Sequence, residues 1–264
     1  MFAVLPTLLT LGNAVCGFGA ITLAAGAGEP GSSLFAAAGL IFLAMVFDAL
    51  DGSTARWAGR VSPFGAQLDS LCDAISFGAA PALLMLRFSL PHGCPPRLLW
   101  LVGALYVVCT VLRLARFNGG ADAGGPPGSF RGLPSPAAAG TVASFPVMVY
   151  GLGHLAHPDR HPAWDGVAGW LGAAAGRVLP AVTLAVACLM VSSVRYAHVV
   201  RHLVRGRRTG RYVIKLVFAA AVISVLPELS ALLLFCWYTF ATPIGAGWKK
   251  CVGRLNSRKR PVSG

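Results

Sequence analysis

Long apolar runs separated by short polar or basic segments dominate the chain. Each run approaches the roughly 20 residues that a helix needs to cross a bilayer. The runs occupy residues 5–25, 32–56, 64–86, 97–117, 136–156, 178–200, 211–226 and 228–246. Because they are continuously apolar rather than alternating, they predict helices and not the strands of a membrane barrel. The pattern therefore predicts an all-α, polytopic membrane protein with about eight transmembrane helices.

The last apolar stretch, residues 212–247, is too long for one crossing and short for two. Pro227 and Glu228 interrupt it, and proline disfavours helix in the residue before it while suiting the first turn of a new helix. Clusters of Lys and Arg lie at both ends, within 195–215 and 249–260. Since basic loops face the cytoplasm, an even number of crossings must separate them. Two short helices satisfy this condition.

Charge bias orients the remaining segments as well. The segments near 56–62, 113–132 and 195–211 carry most of the other arginines and are predicted to lie inside. Those near 26–31, 87–97 and 157–177 are predicted to lie outside, and both termini face the cytoplasm. The Gly- and Pro-rich segment 119–136 predicts an irregular loop. We expect a multi-pass protein of the cell (inner) membrane, with one membrane domain, 1–247, and a basic tail, 248–264.

Composition narrows the choice of partners. Of 264 residues, 56% are hydrophobic and only 12% are charged, about half the charged share of a soluble domain. The net charge of +13 comes from residues at the ends of apolar runs, a placement typical of contact with anionic lipid rather than nucleic acid. The seven cysteines are scattered without a C-x-x-C pair, so neither a disulfide framework nor a zinc site is predicted.

Four of the nine acidic residues fall in one short stretch, which is unusual in so apolar a chain. At about 100° per residue, Asp48 and Asp51 share one helix face. Asp69 and Asp73, four residues apart, share a face of the next helix. A connection at 59–63 joins the two helices, so they are predicted to pack antiparallel with their carboxylates facing each other near the cytoplasmic ends.

Four uncompensated charges in a membrane segment would be costly, at about 2.5–3.5 kcal/mol each near the bilayer centre. Divalent cations remove this cost, and carboxylate oxygens suit Mg²⁺, Mn²⁺ or Ca²⁺. A pair of such ions can bind a diphosphate. Gly52, Ala55 and Gly65 lie on the carboxylate faces and would let a bulky ligand approach, and Arg56 could bind phosphate. Solvated interfacial acids and a cation transporter with intramembrane carboxylates are the alternatives.

The stretch reads Asp48-x2-Asp51-Gly52-x2-Ala55-Arg56-x8-Gly65-x3-Asp69-x3-Asp73. This pattern resembles the complete signature of the CDP-alcohol phosphotransferases. The segments "LPTLLTLGNAVCGF", "SFGAAPA", "RLARFN" and "GLPSPAAAG" are similar to those of the CDP-diacylglycerol–serine O-phosphatidyltransferases of bacteria and archaea. Thr7 departs from that subfamily, where asparagine is frequent.

The resemblance implies six core helices, a homodimer, and two divalent cations, Mg²⁺ or Mn²⁺, held by the four aspartates. It places the cytidine diphosphate of CDP-diacylglycerol against a set comprising Gly52, Ala55, Arg56, Gly65 and Asp69. It makes Asp73 the base that activates the hydroxyl of L-serine, and phosphatidylserine and CMP the products. An acceptor other than serine, such as glycerol 3-phosphate, inositol phosphate or choline, is compatible with the same signature.

A second polar group follows the fourth apolar run. Arg113 and Arg116 either anchor the helix end in the membrane interface or bind the serine carboxylate or the lipid phosphate. In the second interpretation Asn118, Arg131 and Ser135 assist them. The Gly- and Pro-rich loop between these residues suits an adaptable lid.

Overall fold

A computed structural model describes residues 4–26, 30–57, 63–118, 129–155, 163–192, 195–197, 229–241 and 243. Helices account for nearly all of them, and the all-α class is confirmed. The helices are α1 (Val4–Ala25), α2 (Pro30–Trp57), α3 (Pro63–Asp73), α4 (Ala80–Ser89), α5 (Pro96–Asn118), α6 (Ser135–Leu155), α7 (Ala163–Val191) and α8 (Leu229–Ala241). A π-helical turn, Ala74–Ala79, joins α3 to α4, and a 3₁₀ turn, Leu90–His92, follows α4.

Five helical segments in the described part of the chain are long and apolar enough to cross a membrane. They are Pro6–Ala25, Gly31–Ser53, Phe64–His92, Pro96–Asn118 and Gly169–Val191. The first four correspond to the first four predicted runs. Segments of this length and composition, in a chain whose exposed surface is rich in Leu, Val, Phe and Trp, make this a polytopic membrane protein.

The helix α6 packs on α2, α4 and α7. Small residues dominate its first half, and nearly all of them are fully buried, among them Ala138, Ala139, Thr141 and Ala143. Small side chains let neighbouring backbones come close, which suits a helix surrounded by protein rather than by lipid. The predicted run 136–156 therefore corresponds to the core of the bundle.

The prediction for the region of α7 was wrong at both ends. Residues 157–177 were assigned to an outside loop, yet α7 begins at Ala163. Two of its glycines are packing positions rather than helix breakers: Gly172 lies against Val149 of α6, and Gly176 lies directly against the ring of His92. At the other end the predicted span continued to residue 200, whereas α7 ends at Val191.

The chain leaves α7 at Ser192, whose hydroxyl donates to the Leu189 carbonyl at 2.8 Å and so competes with helix propagation. It then forms a strand, β2 (Arg195–Ala197), that pairs antiparallel with β1 (Ser129–Arg131). This ribbon of three residues per strand is the one departure from helix among the regular elements described. It fastens the loop before α6 to the end of α7.

The predicted span 211–226 lies outside the described residues, as do both basic clusters after residue 200. The last predicted run contains α8, which is shorter than a bilayer crossing over its described length. Phe235 of α8 lies directly against Gly140 of α6, and the hydroxyls of Thr239 and Thr141 are 2.8 Å apart. The total of eight crossings and the division at residue 247 stay predictions.

Candidate metal and active site

Three aspartates converge where α2 and α3 approach each other. One carboxylate oxygen from each of Asp48, Asp51 and Asp69 lies within 4.8 Å of the other two. Helical spacing places Asp48 and Asp51 on one face of α2. That face and the face of α3 that carries Asp69 form the cluster. The three oxygens are close enough for one or more small cations to bridge them.

The two helices do not pack against each other in the way that the sequence predicted. Over the described residues α1 packs extensively on α2 and also contacts α3, whereas direct contact between α2 and α3 is slight. The first helix thus connects the two carboxylate-bearing helices, because it packs on both of them.

The local environment fits a divalent cation. Asp51 is only 5% exposed, and Oδ1 of Asp69 is buried without a hydrogen-bond partner among the described residues. A buried carboxylate oxygen that lacks a partner costs free energy, and this oxygen lies beside two further carboxylates. Oxygen donors at this density match Mg²⁺ or Mn²⁺. Asp48, Asp51 and Asp69 are therefore the residues that would hold such an ion.

Asp73 lies one helical turn beyond Asp69 and is not part of the close group of three. Its carboxyl is nearly buried, at 7% exposure. The side-chain amide of Asn13 donates to its Oδ1 at 3.0 Å. Asp73 is still near enough to Asp48 and Asp69 for their charges to interact. One of its oxygens is thus fixed by α1.

Sequence reasoning did not single out the residues of α1 that hold the aspartates. The hydroxyl of Thr10 donates to Oδ2 of Asp51 at 2.9 Å, and Asn13 holds Asp73. Three residues apart, Thr10 and Asn13 share the face of α1 that meets the cluster. Both are buried polar residues in an otherwise apolar membrane helix, and that contrast was the available signal.

The positions expected to border the nucleotide lie beside the cluster. Space is open around Gly52, where an added Cβ would meet nothing within 4 Å. Gly65 lies in the first turn of α3, one turn before Asp69. The helix α2 continues through Ala55 and Arg56 to Trp57. The side chains of Ala55 and Arg56 lie outside the described residues, so their contacts stay predictions.

Arg113 of α5 brings a cationic side chain into the neighbourhood of the carboxylates. Arg113 donates from Nη1 to the hydroxyl of Ser135 at 2.7 Å, and its charge interacts with both Asp48 and Asp73. The serine lies at the start of α6, where Gly132 adopts a positive φ of 83° and packs directly on the Met190 carbonyl. The contact between Gly132 and α7 fixes this turn, and the turn places Ser135 within hydrogen-bond distance of Arg113.

Two other members of the second polar group, Arg116 and Asn118, make their hydrogen bonds elsewhere. Arg116 is exposed and donates to the Val191 carbonyl at the end of α7, at 3.3 Å. Asn118 donates to the hydroxyl of Ser70 at 2.9 Å. Arg131 belongs to β1, and its side chain lies outside the described residues. The structure thus brings Arg113 and Ser135 together, whereas the hydrogen bonds of Arg116 and Asn118 connect helices to one another.

The family model for CDP-alcohol phosphatidyltransferases matches residues 3–178, well over half of the chain. The chain belongs to this family. The matched range begins with α1 and extends into α7, and it contains all four aspartates, Asn13, Arg113 and Ser135. The family resemblance drawn from the aspartate motif is confirmed. The strand β2 and the helix α8 lie outside the matched range.

Curated members of the family share substantial identity with the chain. An archaetidylserine synthase of Methanothermobacter thermautotrophicus is 43% identical over 149 residues, which is 54% of this chain and 58% of the relative. A CDP-diacylglycerol–serine O-phosphatidyltransferase of Mycobacterium leprae is 44% identical over 114 residues, or 40% of this chain and 36% of the relative. One from Methanocaldococcus jannaschii is 42% identical over 106 residues, 40% and 48% of the two chains. The aligned region thus spans about half the length of these relatives or less.

Proposed function

We propose that the protein transfers the phosphatidyl group of CDP-diacylglycerol to L-serine, which yields phosphatidylserine and CMP. The observation that carries the proposal is the convergence of Asp48, Asp51 and Asp69 in a chain of the CDP-alcohol phosphatidyltransferase family. The names of the curated relatives support serine as the acceptor. The activity is that of a membrane-embedded transferase.

The reaction exchanges one phosphorus–oxygen bond for another. The serine hydroxyl oxygen forms a bond to the phosphorus that carries diacylglycerol, the bond from that phosphorus to the CMP oxygen breaks, and CMP leaves with the electron pair. The hydroxyl proton needs a base within hydrogen-bond reach. Asp73 suits this task because Asn13 fixes only one of its oxygens, at 3.0 Å, and the carboxyl stands apart from the close group of three.

Asp48, Asp51 and Asp69 are proposed to hold two divalent cations, Mg²⁺ or Mn²⁺, with Asp73 as a further ligand or as the base alone. When bound, such ions neutralise diphosphate charge and stabilise the leaving group. The protein's own contribution is orientation. Thr10 fixes Asp51 from α1, and the open space around Gly52 lets a nucleotide diphosphate approach the backbone of α2.

The acceptor site is proposed to lie between the carboxylates and the start of α6. Serine carries a carboxylate that needs a cation and a hydroxyl that must reach the base. Arg113 supplies the cation, and it lies beside the proposed base, since its guanidinium donates to Ser135 at 2.7 Å and its charge acts on Asp73. A planar guanidinium binds a carboxylate through two parallel hydrogen bonds. Arg116, Asn118 and Arg131 are proposed to assist at the edge of the site.

We further propose that the protein spans the inner membrane with its site open to the cytoplasm. We also propose that it works as a homodimer. The proposed orientation rests on the basic clusters that follow residue 194, because cytoplasmic segments are enriched in Lys and Arg. The carboxylates lie toward the end of α2 and the start of α3, the same side of the bundle as the ribbon and the end of α5.

The proposal is tested by CMP release from purified protein in detergent with Mg²⁺ or Mn²⁺ present. CDP-diacylglycerol and the corresponding archaetidyl donor are both supplied, since the relatives' names include phosphatidyl and archaetidyl groups. L-serine, glycerol 3-phosphate, inositol phosphate and choline serve as acceptors. Serine-dependent release is expected. Faster release with glycerol 3-phosphate would overturn the serine assignment, and ion flux in sealed liposomes without CMP release for any acceptor would indicate a transporter.

A further inference from the structure

The carboxylates of α3 are followed at once by a change of helix type. The α-helix ends at Asp73, a π-helical turn occupies Ala74–Ala79, and α4 begins at Ala80. In this turn the backbone N–H of Ala80 donates to the Ile75 carbonyl, five residues back rather than four. Single π turns inside α-helices are rare and occur frequently at functional sites.

Pro81 explains why the helix changes here. In an uninterrupted α-helix the Phe77 carbonyl would accept from the N–H of residue 81, but proline has none, and its ring collides with the carbonyl four residues back. The Phe77 carbonyl therefore lacks its α-helical donor, and it is fully enclosed, because Phe77 has 0% exposure. A buried carbonyl without a partner costs about 1–3 kcal/mol.

Tyr106 of α5 supplies the missing donor. Its side chain is wholly buried, and its hydroxyl donates to the Phe77 carbonyl at 3.0 Å. On the opposite side, the hydroxyl of Ser76 donates to the Asn13 carbonyl at 2.8 Å. Gly17, one turn further along α1, lies directly against the Ser76 backbone. The π turn is therefore held between α1 and α5 by specific contacts.

The consequence of the turn is rotational. A π turn adds one residue to the helix, and each residue of an α-helix corresponds to about 100° of rotation. The face of α4 is fixed by its buried residues Leu84, Met85 and Phe88. Without the extra residue, Asp69 and Asp73 would be rotated by about 100° around the helix axis relative to that face, away from Asp48 and Asn13.

We infer that Tyr106 is a positioning residue for the carboxylates of α3, because its hydroxyl stabilises the π turn that sets the rotation of α3 relative to α4. It touches neither substrate nor cation. For activity the inference rests on the proposed function, but for cation binding it stands by itself.

Tyr106→Phe removes the hydroxyl and leaves the ring. We expect its affinity for Mn²⁺, followed by the electron paramagnetic resonance signal of the free ion, to fall by about 10–100-fold, the usual effect of losing a group that orients metal ligands. The turnover number for CMP release should fall as well. Thr183→Val is the matched control, since Thr183 is also wholly buried and its hydroxyl donates to the Leu179 carbonyl within α7 at 2.8 Å. It should melt at a lower temperature with unchanged Mn²⁺ affinity.

The double variant Pro81→Ala/Tyr106→Phe separates positioning from stability. Alanine at position 81 restores an N–H for the Phe77 carbonyl, so the melting temperature should recover while the helix becomes continuous and the Mn²⁺ affinity and turnover stay low. Recovery of affinity and turnover together with stability would show that Tyr106 contributes stability only. If Tyr106→Phe does not fold, the double variant decides alone.

Two outcomes with the unaltered sequence distinguish this inference from the proposed function. Mn²⁺ binding without CMP release for any acceptor would overturn the proposed function, and the Mn²⁺ affinities of the variants would still test the positioning role. Absence of Mn²⁺ binding would overturn both. A Tyr106→Phe variant that binds Mn²⁺ within twofold of the unaltered protein would overturn the inference alone.

Discussion

Asn13→Ala tests whether Asp73 acts as a base while the other three aspartates hold the cations. The substitution removes the 3.0 Å hydrogen bond to Oδ1 of Asp73 and leaves the backbone carbonyl that accepts from Ser76. A hydrogen bond to a charged group contributes about 1.5–3 kcal/mol. Since about 1.4 kcal/mol corresponds to a factor of ten in rate, losing this orientation should lower the turnover number about 10- to 150-fold.

The assay is CMP release with serine, evaluated separately for the turnover number and the Michaelis constant, together with Mn²⁺ affinity. Asn13→Ala should lower the turnover number with little change in Mn²⁺ affinity, because Asp73 lies outside the close group. Thr10→Val is the matched variant from the same face of α1. It frees Asp51, so it should weaken Mn²⁺ binding by about 10-fold or more.

Two results would refute this reasoning. A turnover number of Asn13→Ala within twofold of the unaltered protein would show that the bond to Asp73 has no part in catalysis. An equal loss of Mn²⁺ affinity in the two variants would show that Asp73 acts as a metal ligand and not as a separate base.

Three further predictions concern the cluster, the acceptor and the topology. Asp69→Asn should lower CMP release about a hundredfold or more while the protein still elutes as a folded species in size-exclusion chromatography, and a residual rate above about a tenth would remove Asp69 from the metal site. Arg116→Ala should raise the Michaelis constant for serine more than that for CDP-diacylglycerol. Arg113→Ala should raise the constant for serine further, because Arg113 is near the carboxylates and bound to Ser135. Equal effects on both substrates would contradict a serine site. Gly206→Cys and Arg258→Cys, each in a background without the native cysteines, should both resist an impermeant thiol reagent in intact cells, whereas labelling at 258 alone would contradict an even number of crossings between them.

The elements that the sequence predicted well are those whose signal is local. Apolar runs of bilayer length predicted α1, α2 and α5 to within a few residues, because solvation by lipid acts on each segment separately. The convergence of Asp48, Asp51 and Asp69 was predicted from helical spacing and a short connection, although α1 packs on both helices and direct contact between α2 and α3 is slight. The facing of the carboxylates was thus predicted, and the packing of their helices was not.

The elements that the sequence predicted poorly depend on contacts between distant segments. Residues 157–177 were assigned to an outside loop, and nothing local shows that Gly176 would meet His92 of another element. The π turn depends on Pro81, which can be read from the sequence, and on Tyr106, which cannot. Tyr106 is 29 residues from Phe77, whose carbonyl it binds, and no spacing rule predicts that contact. Thr10 and Asn13 were visible as polar residues in an apolar helix, and only the packing of α1 on α2 and α3 shows what they bind.

The bonds of Thr10 have a consequence for synthesis at the ribosome. Helix α1 precedes α2 and α3 in the chain, so Thr10 enters the membrane before its partner Asp51 does. Its hydroxyl is also 3.0 Å from the Pro6 carbonyl of its own helix, and a hydroxyl has a single proton to donate. During insertion Thr10 can therefore be satisfied within α1, and it transfers its proton donation to Asp51 when α2 arrives. Among the described residues, the side chain of Asn13 makes no hydrogen bond within α1, and its partner Asp73 belongs to α3. Insertion of α1 therefore becomes more favourable once the later helices have followed it.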